Sequence, residues 1–387
     1  MLQNVFAAFR AAALGVPLNN DGIPEEVLRD FIFVFPGFFT SAKNLRSDIN
    51  LVKHFNFMEQ LRICHHKTQG LHNDYTILAE SFSSYVVIHE VYTELDYIQN
   101  TKLGSKNFVF VNIFLEHIYK EYLGCAQFNI FIPNIEWLNM HDFRACNSVD
   151  QIWCKTKFAF DQLFQIKTLH HKLKMLGFSS IDRYNPSFEK LKGKIEVLHL
   201  KGISKYKNSQ LVLDTWLKNP HWPMLHLVHY GHHGSNGFLD IKEPVLIKSN
   251  ITLYQTKLSE NDLINLMNKC HIHICCSFAE GFGHYINEAL STNALVVTTD
   301  GYPMKELVGK NNILIPPMKI ISVNLSKGYL FDEEMFSNQL QNVFRLSCDE
   351  IVHQGGHNRL LFLKRHEGFK SNCNLYMSEL LNNNFQN

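Results

Sequence analysis

The chain has 387 residues, with 37 Lys and Arg against 36 Asp and Glu, and a formal net charge of +1 at pH 7. This balance argues against a general nucleic-acid binder, which needs a basic face. Hydrophobic residues make up 45% of the chain and charged residues 19%, so a large core is available and extensive disorder is not expected. At about 100–200 residues per domain, the length predicts two or three domains.

Nine cysteines are present, and no two of them have Cys-x-x-Cys spacing. Scattered cysteines of this kind favour a reducing compartment, so we expect a cytoplasmic protein. No apolar run approaches the ~20 residues of a membrane-spanning helix, although peripheral contact with a membrane is compatible with the sequence. Residues 1–16 contain Arg10 and no acid, which is weakly like a transit peptide. We interpret them instead as a capping helix or a segment that is disordered in the free protein.

The first half of the chain alternates short apolar runs with helical segments, a pattern that predicts a parallel sheet. A polar, proline-containing stretch at 177–187 is interpreted as the approach to an interdomain linker, so the first domain is placed at residues 1–190. A helix is predicted at 41–54. The predicted strands are 31–35, 75–78, 85–89, 108–111, 128–132 and 151–154.

A second alternation of the same kind follows and predicts a second parallel sheet. From Asp332 onward the pattern is helical and amphipathic. We therefore expect an α/β fold with two Rossmann-like domains, the second at 191–367, followed by a helical segment at 368–387. The predicted strands are 195–200, 224–229, 250–255, 271–276, 294–298 and 313–315, and the predicted helices are 209–217, 262–269 and 283–290.

The most informative segment runs from residue 273 to residue 309. An apolar strand leads into a Glu-Gly-Phe-Gly-His turn at 280–284, and a helix then carries Glu288 two turns further on. A second apolar strand ends in Gly-Tyr-Pro-Met-Lys-Glu at 301–306. In parallel α/β sheets, ligands bind where strands end and helices begin. The free backbone N–H groups of Phe282, Gly283 and His284 would face a phosphate at this turn. Glycine has no side chain, so the phosphate can approach closely.

This segment resembles the donor-binding motif of retaining GT-B glycosyltransferases of the glycogen-synthase-like branch, the glycosyl transferases group 1. In that family two glutamates are separated by seven residues, and Glu280 and Glu288 fit. The resemblance implies two Rossmann-like domains facing each other across a cleft, with the C-terminal helix returning to the first domain. It also implies that Glu280 contacts the sugar ring and its positive charge, and that Glu288 binds the ribose. The alternative interpretation is a helix start with a solvated acidic face.

The implied reaction transfers a sugar from a nucleoside diphosphate sugar, UDP- or GDP-linked, to a hydroxyl of a glycan, lipid or small molecule, with retention. Fixed N–H dipoles and a lysine can stabilise the leaving diphosphate without a metal. No Asp-x-Asp lies where a metal-dependent transferase would use one, so neither a metal nor another cofactor is expected. Base recognition is expected from backbone groups around residues 256–258. An inverting GT-B transferase and a non-catalytic nucleotide- or sugar-binding relative remain as alternatives.

The second half opens with a strand, a glycine turn and several cations, a plausible diphosphate clamp. Gly202 and Lys207 match the family's glycine and lysine, but Ser204, or the residue before it, stands where the family has arginine. We keep Ser204 among the donor-binding candidates. Lys207 is expected to be the main cationic contact, with Lys201 or Lys205 partly supplying the missing arginine. An ordinary solvated helix start is the alternative interpretation.

The first half offers fewer site residues. The resemblance implies a glycine loop after the first strand, where Gly37 is the candidate, and a histidine near the reacting sugar, for which His89 is the candidate. After the strand predicted at 128–132, Asn134 and Glu136 are candidates for binding acceptor hydroxyls, and Trp137 is a candidate for stacking on a sugar. The alternative interpretations are the more common ones: a histidine that is hydrogen-bonded locally and a tryptophan that lies in the core.

The 21 histidines raise the question of a metal site. His229, His232 and His233 follow one predicted strand, and His271 and His273 share a face of another. Neither group has a cysteine partner at zinc-finger spacing, so no metal site is predicted.

Overall fold

The computed structural model describes residues 60–82, 87–92, 109–188, 190–191, 193–202, 204–229 and 245–382. These residues form two α/β domains, each built on a mostly parallel sheet. Within these ranges no helix is both long enough and apolar enough to cross a membrane. The strand predicted at 31–35, the helix predicted at 41–54 and Gly37 lie outside the described residues.

The first sheet has six parallel strands in the order β2-β1-β3-β4-β5-β6. Consecutive strand positions are buried at 61–65, 111–115 and 129–132, so these strands are covered on both faces, as is usual for parallel sheets that helices cover. The strands are β1 (Gln60–His65), β2 (Val87–Tyr92), β3 (Val109–Leu115), β4 (Ala126–Ile132), β5 (Gln151–Cys154) and β6 (Leu173–Met175). The helices of this domain are α1 (Gln69–Phe82), α2 (Met140–Ala145) and α3 (Lys157–Phe164).

The strand predicted at 75–78 is wrong, because these residues lie inside α1. A short apolar run fits a strand and a helix equally well, and here the flanking residues decide. Buried positions recur every three or four residues, the period of a helix that packs along one face: Leu71, Asp74, Ile77, Leu78 and Phe82. The apolar pattern also fails to reveal β1, because Arg62 and His65 interrupt it. Both are nevertheless buried.

The second sheet has seven strands in the order β13-β12-β11-β7-β8-β10-β9, and only β9 is antiparallel to its neighbour. Apart from β9, its elements lie within two residues of the predicted bounds, because doubly buried strands read as short apolar runs. The strands are β7 (Glu196–Leu200), β8 (Met224–Val228), β9 (Val245–Lys248), β10 (Ile251–Tyr254), β11 (Ile272–Cys275), β12 (Leu295–Thr299) and β13 (Ile313–Ile315). The helices are α4 (Ser209–Lys218), α5 (Glu260–Lys269), α6 (His284–Ser291) and α7 (Glu333–Val343).

A hairpin of β14 (Lys319–Val323) and β15 (Ser326–Leu330) reaches from the second domain to the first. At its tip, Asn324 donates from Nδ2 to the backbone carbonyl of Glu136 at 2.6 Å. The next residue, Leu325, packs against a core cluster of the first domain. The hairpin therefore ties the segment that follows β4 to the second domain.

The last helix, α8 (Cys348–Asn382), is 35 residues long and connects the domains. In its first half, Asn358 donates from Nδ2 to the carbonyl of Ala294, just before β12. In its second half, the Tyr376 hydroxyl donates to the carbonyl of Met175 in β6. The predicted return of the C-terminal helix to the first domain is confirmed, in a helix longer than the sequence indicates.

Truncation of Phe369 tests how α8 holds the domains together. Phe369 is 1% exposed, and its ring meets that of Phe178 edge-on at 5.0 Å, within a cluster built from both domains. Phe369→Ala leaves a cavity and should lower the free energy of unfolding by about 3–5 kcal/mol. Leu375→Ala, at a 52% exposed position of the same helix, should change it by about 0.5 kcal/mol or less. Chemical denaturation followed by circular dichroism measures both, and equal losses would contradict this packing.

Candidate active site

The turn between β11 and α6 is shaped by its glycines. Gly283 has a φ of +93°, a region where a side chain would be strained. A side chain at Gly281 would collide with the carboxyl group of Glu136. No side chain caps α6, and no hydrogen bond between described residues uses the N–H groups of Phe282, Gly283 or His284. The start of α6 is therefore open to an anion.

Lys207 meets this turn from the loop after β7. Its Nζ donates to Glu280 Oε1 at 2.5 Å, although the two residues are 73 positions apart. The same Nζ lies 3.4 Å from the centre of the Tyr285 ring. The side chains of Lys207 and Glu280 are 14% and 13% exposed, so the pair is largely shielded from water. Two residues predicted from separate motifs thus meet at the start of α6.

The loop that carries Lys207 is fastened to the end of β11. Gly202 has a φ of +56° and Asn208 a φ of +52°, two reversals that bend the loop back. Asn208 Nδ2 donates at 3.0 Å to the carbonyl of Cys276, the residue after β11. Ser204 Oγ accepts the N–H of Tyr206 at 3.2 Å, so Ser204 shapes the loop.

Of the two lysines considered for the missing arginine, Lys201 lies in the same cationic surroundings as Lys207. Its Nζ donates to Nε2 of His229, at the ends of β7 and β8, and burial lowers the pKa of Lys201. Burial, helped by the charges of Lys207, His229 and Lys201, lowers the pKa of His199 to about 4. Lys205 is exposed, with its Nζ stacked over a tyrosine ring at 5.8 Å.

Glu288 lies on the second turn of α6 and is buried. Its Oε1 accepts from Arg183 Nε at 3.2 Å, and Arg183 also pairs with Glu260 at the start of α5. Burial raises the pKa of the Cys275 thiol, and the charges of Glu280 and Glu288 add to this effect. Both carboxylates therefore lie close to the end of β11.

A buried network approaches the turn from the first domain. Lys155, just after β5, donates to Asp74 Oδ2 at 2.5 Å and to Asn134 Oδ1 at 2.9 Å. His284 Nε2 donates to the other Asp74 oxygen at 2.7 Å, and its Nδ1 lies 3.0 Å from Ser180 Oγ. Burial acts to raise the pKa of Asp74, but Lys155 and His284 hold it below its usual value. The imidazole of His284 thus links the domains.

Glu136 faces the turn from the end of β4. It is 7% exposed, and its Oε2 has no hydrogen-bond partner in the described part of the chain. Burial raises its pKa to about 8, and the charges of Glu280 and Glu116 contribute. The carboxyl group is therefore mostly protonated at pH 7.

Two further residues singled out in the sequence contact the opposite domain. Trp137 stacks on Tyr206 with ring centres 5.5 Å apart and is 43% exposed, so it is not a core residue. The oxygens of Glu306 accept the N–H groups of Lys157 and Phe158 at 2.8 and 2.9 Å, at the start of α3. Through Glu306, the Gly-Tyr-Pro-Met-Lys-Glu run at 301–306 therefore contacts the first domain.

The remaining first-domain predictions are only partly placed. His89 belongs to β2, where its backbone pairs with that of Arg62, but its side chain lies outside the description. His232 and His233 lie outside it entirely. At the same sheet edge, Glu90 Oε1 contacts two histidines that the sequence analysis does not single out, at 3.1 and 2.8 Å: His65 and His72.

Sequence reasoning also misses Asp74, Lys155 and Ser180. Lys155 carries a usable signal, because it directly follows an apolar strand, where site residues collect. Asp74 carries none, because it directly precedes the run at 75–78 that is predicted to be a strand. Ser180 lies in the polar stretch interpreted as a linker, and only the three-dimensional contact with His284 reveals its place.

In the described ranges, one group of side chains has metal-ligand spacing, with ligand atoms within 4.8 Å of one another: Glu196, His226 and Cys270. The Nζ of Lys269 lies 2.7 Å from a Glu196 oxygen, and Lys190 donates to the carbonyl of Cys270. Two ammonium groups so close disfavour a bound cation. The group lies at the amino-terminal edge of the second sheet, opposite the turn.

A cavity of about 480 Å³ opens beside the end of β10. Its lining includes Tyr254 and the run from Thr256 to Ser259. One strand lies between β7 and β10 in the sheet, so these two strands are about 10 Å apart. One end of the cavity, at Tyr254 and Thr256–Ser259, therefore lies at the same sheet edge as the loop that carries Lys207. The cavity extends from there along α5 to Lys269.

Residues 180–335 match the sequence model of the glycosyl transferases group 1. The matched residues form the second sheet and include both Glu280 and Glu288. This match identifies the protein as a glycosyltransferase. No protein with a curated description matches its sequence.

Solved structures share the fold of nearly the whole glycosyltransferase. A glycosyltransferase from Rickettsia africae superposes with a TM-score of 0.60 at 12% identity, over 84% of this chain and 98% of its own. Anabaena HepE, crystallised with UDP and glucose, gives 0.58 at 13%, over 84% and 100%. Sucrose-phosphate synthase from Thermosynechococcus elongatus gives 0.54 at 10%, over 85% and 99%. At these identities the likeness shows the fold alone, and it confirms the expected GT-B arrangement.

The Glu136 carboxyl group should make stability depend on pH. Its pKa is about 8 in the folded protein against 4.5 for an ordinary glutamate, so its stabilising contribution is complete below pH 4.5 and is lost as pH rises towards 8. Glu136→Gln has no ionisable group at this position, so its stability does not fall in this pH range. It should therefore be more stable than the wild type by about 1–3 kcal/mol at pH 8 and nearly equal at pH 5.

Thermal unfolding at the two pH values measures this difference. Glu334→Gln, at an acidic position in the first turn of α7, is the matched control and should show no such pH-dependent gain. A gain in Glu136→Gln that is the same at both pH values would contradict a buried, protonated carboxyl group.

Proposed function

We propose that this glycosyltransferase moves a sugar from a nucleoside diphosphate sugar to a hydroxyl group, with retention and without a metal ion. The observation that carries the proposal is the contact between Lys207 and Glu280 at the uncapped start of α6. Without a donor, the two charges neutralise each other. A donor diphosphate would take Lys207 and the free N–H groups, which leaves Glu280 to face the sugar.

The chemistry follows from this arrangement. The acceptor oxygen bonds to the anomeric carbon, the bond from that carbon to the diphosphate breaks with its electron pair on oxygen, and the hydroxyl proton passes to the leaving diphosphate. Lys207 and the N–H groups at 282–284 stabilise the growing negative charge, because they are fixed in a partly dehydrated site. The Glu280 carboxylate stabilises the positive charge of the sugar ring. Retention is proposed because Glu280 and Glu288 match the glutamate pair of the retaining family.

The rest of the donor can be followed along the sheet edge. We place the base in the 480 Å³ cavity beside Thr256–Ser259 and the ribose at Glu288. Glu288, Arg183 and Glu260 form a chain of ion pairs between α6 and the start of α5, which supports this placement. Anabaena HepE was crystallised with UDP-glucose, so UDP-sugars are the first donors to test, followed by GDP-sugars.

The acceptor would enter from the first domain. Asn134 and Glu136 lie at the end of β4, and Glu136 lies against the turn. His89 remains the proposed histidine near the reacting sugar. It belongs to β2, the outer strand of the same sheet, three positions from β4. Acceptor and donor would therefore meet between Glu136 and Glu280.

Incubation with a panel of nucleotide sugars, followed by measurement of released nucleoside diphosphate, tests the proposal. Release from one donor, with retention in the product's anomeric NMR signal, supports it. A product of opposite configuration would indicate an inverting transferase. One observation favours a non-catalytic binder: Ser204 bonds its own loop where the family has arginine. Such a protein would bind nucleotide and release nothing.

Removal of the Lys207 charge should weaken donor binding. Lys207→Ala is expected to raise the Kd of the nucleoside diphosphate about tenfold or more, since it removes a charge-assisted contact of ~1.4 kcal/mol. Lys205→Ala, on the same loop but exposed, is the matched control and should change it less than about twofold. Isothermal calorimetry measures both. Lys207→Ala with wild-type affinity would show that the diphosphate lies elsewhere.

Chelation should leave activity intact. If N–H groups and lysines provide all of the charge stabilisation, excess EDTA changes the rate of nucleoside diphosphate release by less than about twofold. Initial rates with and without EDTA measure this. Complete loss of activity that Mn²⁺ or Mg²⁺ restores would refute the metal-free mechanism.

A further inference from the structure

The acceptor side of the proposed site is unusually rich in carboxyl groups. Glu116 follows β3 and Glu136 follows β4, which are neighbouring strands of the first sheet, and Glu280 approaches from the second domain. The charges of Glu116 and Glu280 both act on Glu136. Three acidic side chains therefore converge where the acceptor would bind.

The cations at this place are already paired. Lys155 is the cation that faces Glu116 and Glu136, and its ammonium group is buried between Asp74 and Asn134. The neighbouring His117 donates from Nδ1 to Asp142 at 2.8 Å. The Lys155 ammonium group and the His117 imidazole therefore already pair with carboxylates, so neither is available to bind an incoming anion.

Glu136 itself points to a missing ligand. More than nine-tenths of its surface is buried, yet its Oε2 has no partner among the residues described, although buried carboxyl oxygens are normally hydrogen-bonded. This oxygen lies over Gly281, beside the turn proposed to bind the donor. A ligand group that donates or accepts a hydrogen bond would satisfy it.

Glu116 is held in place by an unusual backbone. Its φ is +69°, a conformation that non-glycine residues adopt rarely and at a cost in energy. Its carboxyl group accepts a hydrogen bond from the Asn134 side chain. The surrounding structure therefore fixes both acidic groups before an acceptor arrives.

An aromatic surface borders the same place. Trp137 follows Glu136 directly, stacks on Tyr206 and remains partly exposed. Aromatic rings bind the apolar C–H faces of sugars, while carboxyl groups bind their hydroxyls. The two kinds of surface occur here side by side.

The geometry points to a neutral, hydroxyl-rich acceptor, a sugar or glycoside whose hydroxyls bind Glu116 and Glu136 and whose ring lies on Trp137. Because the described cations here are already paired, it disfavours acceptors that carry a phosphate or carboxylate at this place. The inference rests on the proposed function, because it specifies the acceptor of that reaction. The physical reason is charge: an anion would lie beside Glu116 and Glu280, where the described cations already pair with other groups. A hydroxyl can instead donate to these carboxylates and accept the proton of Glu136.

Direct binding of matched sugars tests this. On the full-length, nucleotide-free protein, saturation-transfer NMR titrations compare methyl α-glucoside, methyl α-mannoside and methyl α-galactoside with the corresponding 6-phosphates. At least one neutral sugar should bind, and its phosphate should bind about tenfold or more weakly. Glu136→Gln and Glu116→Gln should each weaken the neutral sugar by about three- to tenfold. Both variants should change the Kd of UDP by less than about twofold. The control variant Glu334→Gln should change neither the Kd of the sugar nor the Kd of UDP.

A charge-reversing variant gives an independent arm. Glu116→Lys should bring the phosphate to within about threefold of the neutral sugar, because it supplies the missing cation. Equal or tighter binding of phosphates by the wild type would overturn the inference, as would the absence of binding by every neutral sugar. So would glutamine variants that bind like the wild type. Failure of the proposed function appears separately, as a nucleotide panel without binding or release.

Discussion

The contact between Lys207 and Glu280 is the interaction on which the site depends. Both residues are largely shielded from water, and removal of one member of such a pair leaves an uncompensated charge. The pair therefore stabilises the donor-free protein and holds the loop after β7 against the turn before α6. A diphosphate carries the charge needed to replace Glu280 as the partner of Lys207. The same contact can thus serve as a structural link and as a donor-binding position.

The contacts between the two domains enclose the place where a diphosphate would replace Glu280 as the partner of Lys207. His284 reaches Asp74 from the opposite domain, and the hairpin tip at Asn324 holds the segment after β4. Glu136, on that segment, lies against Gly281, where burial raises the pKa of its carboxyl group to about 8. Contacts of this kind exclude water, which strengthens the electrostatic interactions within the site. Acceptor-side and donor-side groups are consequently held together before either substrate binds.

Much of the second domain follows from its sequence, because strands buried on both faces give short apolar runs and the glycine turn between β11 and α6 is distinctive. The meeting of Glu280 with Lys207 is also implied by the two motifs. Asp74 and Lys155 are different: one lies in a run that suits a strand as well as a helix, and the other gains meaning only from its distant partner. The unpaired carboxyl of Glu136 is equally invisible in the sequence, since it results from the packing of the two domains.

A crystal structure of the protein with UDP would show whether the diphosphate replaces Glu280 as the partner of Lys207. We expect a β-phosphate oxygen within hydrogen-bond distance of Lys207 Nζ and of at least one N–H group at residues 282–284. We also expect a Glu280 carboxylate that no longer contacts Lys207, and a uracil in the cavity beside Thr256–Ser259. A diphosphate bound elsewhere, with the contact between Lys207 and Glu280 unchanged, would contradict this expectation.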